Sequence, residues 1–108
     1  MRFLKRDLTK FSLYKPTPTE DDDGDIRNVY DTPAIATFDG NIQPCSERSL
    51  REEYGIAPQY ACFIYVPVGT EFKELDRVTD GALWYEIKVI QRWRTYLRLL
   101  VERVEPNG

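Results

Sequence analysis

Ala61-Cys62-Phe63-Ile64-Tyr65-Val66-Pro67 is the stretch of this sequence that decides the fold. It is a continuous run of residues that favour β-structure, and Pro67 and Gly69 close it, which predicts a strand. Downstream, the pair Asp80-Gly81 is a strong signal for a hairpin turn. In the strand that follows, residues 83–90, one face is expected to carry Tyr85, Ile87 and Val89. These signals predict a mainly β protein.

Upstream of this stretch the pattern is also β. Apolar and polar residues alternate over residues 8–14, and Pro16 and Pro18 are expected to end that strand because proline cannot donate to a ladder. Residues 34–44 contain further strand formers. The Asp39-Gly40-Asn41 cluster predicts a bulge or tight turn inside them.

An acidic stretch, residues 20–25, precedes a weaker strand at residues 26–30. Like charges repel and Gly24 tolerates a positive φ, so we expect a solvated turn. The aspartates at positions 21, 23 and 25 alternate as in a calcium loop. However, Thr32 stands where such a loop needs a bidentate glutamate, so no metal site is predicted.

Residues 46–55 carry helix signals between two strands. Ser49 and Glu52 have the spacing of a capping box, and Gly55 fits the C′ position that ends a helix. We expect a helix of two turns that is too short to be stable alone. The whole insertion, Cys45 to Gln59, has few apolar residues. Such segments fold when a neighbour supplies the missing surface.

The C-terminal stretch, residues 86–104, has two interpretations. As strands, it forms a hairpin with two inward rows, which turns near Arg92 to Arg94. As a helix, it also places on one face Ile87, Ile90, Leu97, Leu100, Val101 and Val104. Periodicity leaves both open, because the aromatic and β-branched residues favour a strand whereas arginine, leucine and glutamate favour a helix.

The length and composition of the chain fit one small globular domain. The chain has 108 residues, of which 42% are hydrophobic, enough for one core. We divide it into a flexible N-terminal arm, residues 1–7, and a single domain, residues 8–108. No apolar run approaches the length of a membrane helix, and the first ten residues lack the apolar centre of a signal peptide. Cys45 and Cys62 lack metal-ligand spacing and are expected to be reduced cytoplasmic thiols.

No catalytic residue, cofactor site or metal site is predicted. The chain has no histidine, which removes Ser/His and Cys/His catalysis within one subunit and the commonest zinc ligand. Its carboxylates lie in polar stretches that lack the perturbing pocket a general acid or base needs. No phosphate-binding or hydrolase motif occurs. We therefore expect a protein that is not an enzyme.

Aromatic and arginine residues interleave near the C-terminus and support an alternative function. The residues concerned are Trp84, Trp93, Tyr96, Arg92, Arg94 and Arg98. Such interleaving is typical of a small OB-like barrel that binds single-stranded nucleic acid. The net charge of −3 opposes this function, because proteins that bind phosphates usually carry an excess of lysine and arginine. A solvated hairpin tip is the favoured interpretation.

The order of these signals along residues 8–104 is more specific than any one of them. The most specific pieces are Ile42-Gln43-Pro44 followed by the helical segment, and Asp80-Gly81 leading into Tyr85-Glu86-Ile87. In this order the chain resembles the head-closure, or head-tail joining (stopper), proteins of long-tailed phages and prophages. It departs from that family at Gln91 to Thr95, where the family usually has a longer, turn-rich link.

The resemblance implies a small β-barrel or sandwich with a long inter-strand loop that carries a short helix. It implies a structural virion protein that forms a ring in the head-tail connector, often of twelve copies. The ring closes the head after DNA packaging and provides the surface on which the tail docks. The loop Cys45–Pro58 would line this ring or its channel, and the interaction residues are Gln43, Cys45, Ser46, Arg48, Leu50, Arg51, Glu53 and Tyr54.

Two further surfaces are candidates for contacts. The acidic residues Asp21, Asp22, Asp23 and Asp25 lie at the family's first hairpin loop and form a candidate docking loop. A possible exposed hairpin tip is formed by Arg92, Trp93 and Arg94.

The partners that the resemblance implies are the portal and adaptor ring proteins, the tail proteins of the same phage, and other copies of the chain. Packaged DNA would be contacted in passing. No cofactor, membrane or small-molecule substrate is expected. The protein would occupy the host cytoplasm during assembly and the neck of the virion afterwards. We expect the isolated chain to be a monomer, because ring contacts form on a template and are individually weak.

Overall fold

A computed structural model describes residues 8–30 and 33–106 of the chain, so the expected N-terminal arm lies outside the described residues. In chain order the strands are β1 (Thr9–Tyr14), β2 (Thr17–Glu20), β3 (Ile26–Val29), β4 (Ala36–Pro44), β5 (Ala61–Pro67), β6 (Arg77–Thr79), β7 (Trp84–Arg92) and β8 (Tyr96–Val104). Between β4 and β5 lie the helix α1 (Arg48–Glu53) and a 3-10 turn (Pro58–Tyr60). The mainly β fold class and the short helix in a long inter-strand loop are confirmed.

Six strands close an antiparallel barrel in the order β1-β4-β5-β8-β7-β6, while β2 and β3 pair only with each other. Closure leaves the barrel with no unpaired edge. The predicted turn at Asp80 and Gly81 joins β6 to β7. There, the carboxylate of Asp80 accepts the backbone N–H groups of Ala82 and Leu83, each at 2.9 Å. Gly81 has φ +99°, a conformation that glycine adopts without strain.

One apolar core fills the barrel. Its inward-facing residues on β8 are Leu97, Leu99 and Val101, in the predicted alternation. The ring of Phe38 stacks on Phe11 at 5.4 Å between centroids and meets the edge of Phe72 at 4.9 Å. Phe72 comes from the loop between β5 and β6, is 1% exposed, and belongs to this core.

The C-terminal stretch is a β-hairpin, which decides between the two interpretations that periodicity left open. β7 pairs with β8 along its length, with a register shift at Lys88. Beyond this bulge, the residues of β7 that would have pointed into the barrel point outward instead. Ile87 therefore points into the barrel core, whereas Val89 packs against a second cluster outside it. The expectation that Val89 shares a face with Ile87 is wrong for this reason.

One other expectation about the strands is corrected, and one about the prolines is confirmed. β4 runs through Gly40 without a turn, because this glycine serves close packing: a Cβ there would lie 2.8 Å from Cγ2 of Ile64. The first strand ends at Tyr14, before Pro16, as expected, and Pro18 lies within the separate strand β2, opposite Asn28. Proline is tolerated there because both strands of a two-stranded hairpin are edge strands.

Candidate interaction surfaces

The segment between β4 and β5, residues 45–60, packs on the outside of its own barrel. Ile56 is 3% exposed and forms a second apolar cluster with Ala61, Phe63 and Leu100. Leu50 and Cys45 pack against the edge of this cluster. The expectation that the segment depends on a neighbour for its shape is therefore corrected: the barrel offers an apolar outer face, and Ile56 occupies it.

The helix within this segment ends as predicted but begins differently. Gly55 has φ +66° and donates its N–H to the carbonyl of Glu52, while Ile56 donates to the carbonyl of Arg51, both at 3.1 Å. These two bonds form a Schellman motif, which directs Ile56 back towards the barrel. The helix begins after Glu47, with no side-chain cap. The predicted capping box is wrong, because Ser49 already lies inside the helix.

An arginine of β8 ties the start of the segment to the barrel. Arg98 pairs with the carboxylate of Glu47 at 3.0 Å and donates to Oε1 of Gln91 at 2.6 Å. Its guanidinium lies over the ring of Phe63 at 4.1 Å and near that of Trp93 at 5.3 Å. Sequence reasoning missed this link, since nothing local relates position 98 to position 47.

The predicted interaction residues, of which Gln43 lies in β4 and the rest in the segment, divide by burial. Those that are half-buried are Cys45 and Leu50, which pack against the second cluster, and Arg51. Those that are exposed to solvent are Gln43, Ser46, Arg48, Glu53 and Tyr54. Only the second group is available to a partner. Tyr54, at 45% exposure, is its one large apolar side chain.

The hairpin formed by β2, β3 and their turn stands apart from the barrel. All four residues of β2 and the first three of β3 are exposed. In the predicted solvated turn, Oδ1 of Asp21 accepts the N–H groups of Asp23 and Asp25 at 2.9 and 3.0 Å. The carboxylates of these three aspartates lie within 4.8 Å of one another. Exposed acidic groups are commonly arranged this way without an ion, and we assign no metal site.

The base of the hairpin is held by polar contacts with the loop before β6. The hydroxyl of Tyr30 donates to the carbonyl of Leu75 at 2.7 Å, and the guanidinium of Arg77 lies 4.2 Å from the centre of the Tyr30 ring. Lys15 forms an ion pair with Asp76, which is 1% exposed. These contacts join residues far apart in sequence, and no local pattern marked them.

An ionic network continues from this base along β7. Arg77 and Lys88 both bind the carboxylate of Glu86, at 3.1 and 2.7 Å, and Lys88 also reaches Glu102 at 3.4 Å. Burial raises the pKa of Glu86, but the hydrogen bonds and positive charges of Lys88 and Arg77 outweigh burial, so the pKa lies below its ordinary value.

The tip between β7 and β8 is exposed, as predicted. The ring of Trp93 is 44% exposed and stacks on Tyr96, with centroids 5.0 Å apart and planes 7° apart. Arg92 and Arg94 are exposed, and neither forms an ion pair within residues 8–30 and 33–106.

The second tryptophan lies elsewhere. Trp84 packs on Tyr14 at 4.9 Å, at the opposite end of β7 from Trp93. Nine residues at roughly 3.3 Å each separate the two rings by about 30 Å along the strand. The described structure therefore does not assemble them into one stacking platform.

The environment of the Cys62 thiol lowers its reactivity. Burial raises the pKa of the Cys62 thiol, and the nearby Cys45 adds to this effect, which makes the reactive thiolate scarcer. Among the described residues, every buried side-chain nitrogen and oxygen has a hydrogen-bond partner. Among the same residues, no helix has the length and apolar character required to span a membrane.

Comparisons with known proteins support the architecture. No family model matches the chain, and no curated protein matches it. Among solved structures, the chain is similar to the phage-like element PBSX protein xkdH from Bacillus subtilis. The TM-score is 0.54 with 15% sequence identity, over 89% of this chain and 93% of the other. At this identity the similarity establishes a shared fold.

Proposed function

We propose that this chain is a structural protein of a phage or prophage particle, and that it works as one copy in a ring at the head-tail connector. The ring would close the head after DNA packaging and offer a docking surface to the tail. The observation that carries the proposal is the fold shared with a protein of a phage-like element over nearly the whole of both chains. The ordered motifs of the head-closure resemblance point the same way.

The exposed segments of the barrel also support a role in assembly. The acidic hairpin, the outward residues of the α1 segment and the Trp93 tip project from a barrel that is already closed. A lone barrel does not need them for its core, and ordering such segments costs conformational entropy. Contacts with neighbouring proteins would offset that cost.

A non-enzymatic role is part of the proposal. The described carboxylates whose pKa shifts are those of Asp80, which makes a turn, and Glu86, which is neutralised by two cations. Both shifts are explained by structural hydrogen bonds and ion pairs.

The test is binding to the connector from the phage or prophage that encodes this chain. We expect the purified protein to co-sediment with a preassembled portal–adaptor complex, and electron microscopy to show a ring of added density below the adaptor. An unrelated small barrel of similar charge serves as the negative control, and an established connector protein as the positive one. Failure to co-sediment while the positive control binds would refute the proposal.

The same preparation tests the role of the segment between β4 and β5. The triple change Arg48→Ser, Glu53→Ser and Tyr54→Ser alters only its exposed side, so we expect an intact fold. If this face lines the ring or the channel, connectors built with the variant will show weaker ring density or leak DNA from filled heads. The matched control changes three exposed residues elsewhere: Thr37→Ser, Asp39→Ser and Arg103→Ser. Equal behaviour of the two variants would assign the contact to another surface.

A further inference from the structure

The acidic hairpin and the arginine tip occupy related positions on the barrel. The strand order β1-β4-β5-β8-β7-β6 is a closed circle of six, so the β1–β4 pair lies opposite the β8–β7 pair. The acidic hairpin, residues 17–30, connects β1 to β4. The arginine tip, residues 92–95, connects β7 to β8. The two connections are therefore three strand positions apart around the barrel, while the base of the acidic hairpin contacts Leu75 and Arg77 at the start of β6.

They also leave from the same end of the barrel. Neighbouring strands in the circle are antiparallel, so β1 and β7 run in the same direction. The acidic hairpin follows the end of β1, and the arginine tip follows the end of β7. Two different contact surfaces at one end of the barrel suit a head-to-tail contact between copies, which closes into a ring.

The two projections are complementary in charge and in what they expose. Residues 20–25 carry five carboxylates in six positions, whereas the tip carries Arg92 and Arg94 and no acid. In the described structure neither arginine has an ionic partner, and the side chain of Asp22 has none either. Each projection also presents one large apolar side chain: Ile26 is 74% exposed and Trp93 is 44% exposed.

We infer that the acidic hairpin of one copy docks on the arginine tip of the next copy, with Asp22, Asp23 and Asp25 facing Arg92 and Arg94. The exposed Ile26 packs against the free surface of Trp93. This inference rests on the proposed ring and names the contact that would hold it. Salt would weaken the contact, since exposed charges are screened beyond about 10 Å at moderate ionic strength.

Thiol cross-linking tests the geometry directly. The variant carries Asp23→Cys and Arg94→Cys, with Cys45→Ala and Cys62→Ala to remove the native thiols. Oxidation of the purified chain at high concentration and low salt is expected to give a ladder of multimers that ends in a species with no free thiol. The control places the cysteines at two other exposed sites, Asp39→Cys and Arg103→Cys, and should cross-link at least about tenfold more slowly. Equal rates for the two pairs would overturn the inference.

Charge exchange tests the complementarity without engineered thiols. At the high protein concentration and low salt that allow weak contacts to form without a template, Asp22→Lys with Asp23→Lys, or Arg92→Glu with Arg94→Glu, should each weaken self-association by about tenfold or more in sedimentation experiments. Mixing the two variants in equal amounts should restore it, because a reversed hairpin then meets a reversed tip. Glu71→Lys with Glu105→Lys, at two other exposed sites, changes the net charge by the same amount as the aspartate variant and should have little effect. A mixture that associates no better than its components would contradict the contact.

The same variants separate this inference from the proposed function. If wild-type protein binds the portal–adaptor complex but neither cross-links through positions 23 and 94 nor responds to charge exchange, the docking contact is wrong and the connector role stands. If the cross-links form but the complex is not bound, the copy-to-copy contact is supported and the connector role fails.

Discussion

The two excursions that leave the barrel between neighbouring strands behave in opposite ways. The segment between β4 and β5 is folded onto the outer face of the barrel, with Ile56 buried there. The hairpin between β1 and β4 leaves every residue of β2 exposed and touches the rest of the protein through polar contacts at its base. Both are polar, and both separate strands that pair directly.

The difference comes from what the barrel presents beside each excursion. Around β8 the outer face is apolar, because Leu99, Leu100 and Val101 are consecutive and Leu100 must point outward. Near the hairpin the barrel presents charged groups, Arg77 and Asp76, instead. Buried apolar area stabilises a segment more than a few polar contacts at its base do. An excursion is therefore held where the barrel is apolar on the outside, and remains available to partners where it is not.

The strongest test of this comparison removes the same side chain from each excursion. Ile56→Ala should lower the free energy of unfolding by about 2–4 kcal/mol, the usual cost of deleting a buried aliphatic side chain. Ile26→Ala should change it by less than about 0.5 kcal/mol, because Ile26 is exposed. Urea unfolding followed by tryptophan fluorescence measures both. Similar losses would mean that the hairpin is as firmly packed as the helical segment.

A second test concerns how the hairpin is held. Tyr30→Ala removes the hydrogen bond to Leu75 and the ring beneath Arg77, and should cost about 1–2 kcal/mol of unfolding free energy. Tyr30→Phe keeps the ring and should recover about half of that loss. Tyr54→Ala is the control, since Tyr54 is exposed on the α1 segment. If Tyr54→Ala costs as much as Tyr30→Ala, the base of the hairpin is not a specific anchor.

Local signals in the sequence predicted most of the fold. The strand at Ala61–Pro67 and the turn at Asp80 and Gly81 depend on neighbouring residues, and both were found as expected. Two signals had more than one physical meaning. Glycine at position 40 indicates either a turn or a close approach, and only the position of Ile64 decides between them. The bulge at Lys88 has no local marker, so the side on which Val89 lies could not be foreseen.

The sequence predicts which segments form the candidate surfaces, but it does not predict which side of each segment is exposed. Polar composition marked the acidic hairpin and the α1 insertion as extra to a barrel core, and the tip at Arg92 to Arg94 was expected to be exposed. Which side of the α1 segment is available depends on Phe63 and Leu100, which are distant in sequence. The contact between Arg98 and Glu47 is also long-range. Such contacts follow from the closed topology and leave no pattern in any one stretch.

A smaller effect is expected from pH at the network beside the hairpin base. The pKa of Glu86 is lower in the folded chain than its ordinary value of 4.5. The stability this carboxylate contributes is therefore fully present above that value, and is lost as the pH falls through the folded pKa. Glu86→Gln should lower stability at neutral pH, and the gap between variant and wild type should close in acid.

The control for this prediction is Glu71→Gln, which alters an exposed glutamate outside the network. Its stability curve should run parallel to that of the wild type from neutral pH into acid. Denaturant midpoints measured at several pH values provide both curves. A constant gap between Glu86→Gln and wild type down to the most acidic point would show that the network does not depress this pKa.

The smallest expected effect shows whether the Asp21 hydrogen bonds or the repulsion among the carboxylates determine the conformation of the acidic turn. Asp21→Ala removes the acceptor of the Asp23 and Asp25 amides, so amide exchange should accelerate in residues 20–26 while the barrel stays protected. Asp22→Ala removes a charge of the same sign without a hydrogen bond, and should leave these exchange rates unchanged. NMR-detected hydrogen exchange on the two variants decides the point. If both variants loosen the turn equally, repulsion among the carboxylates, rather than the Asp21 hydrogen bonds, determines its conformation. The hairpin would then reach a docking partner without a preformed shape.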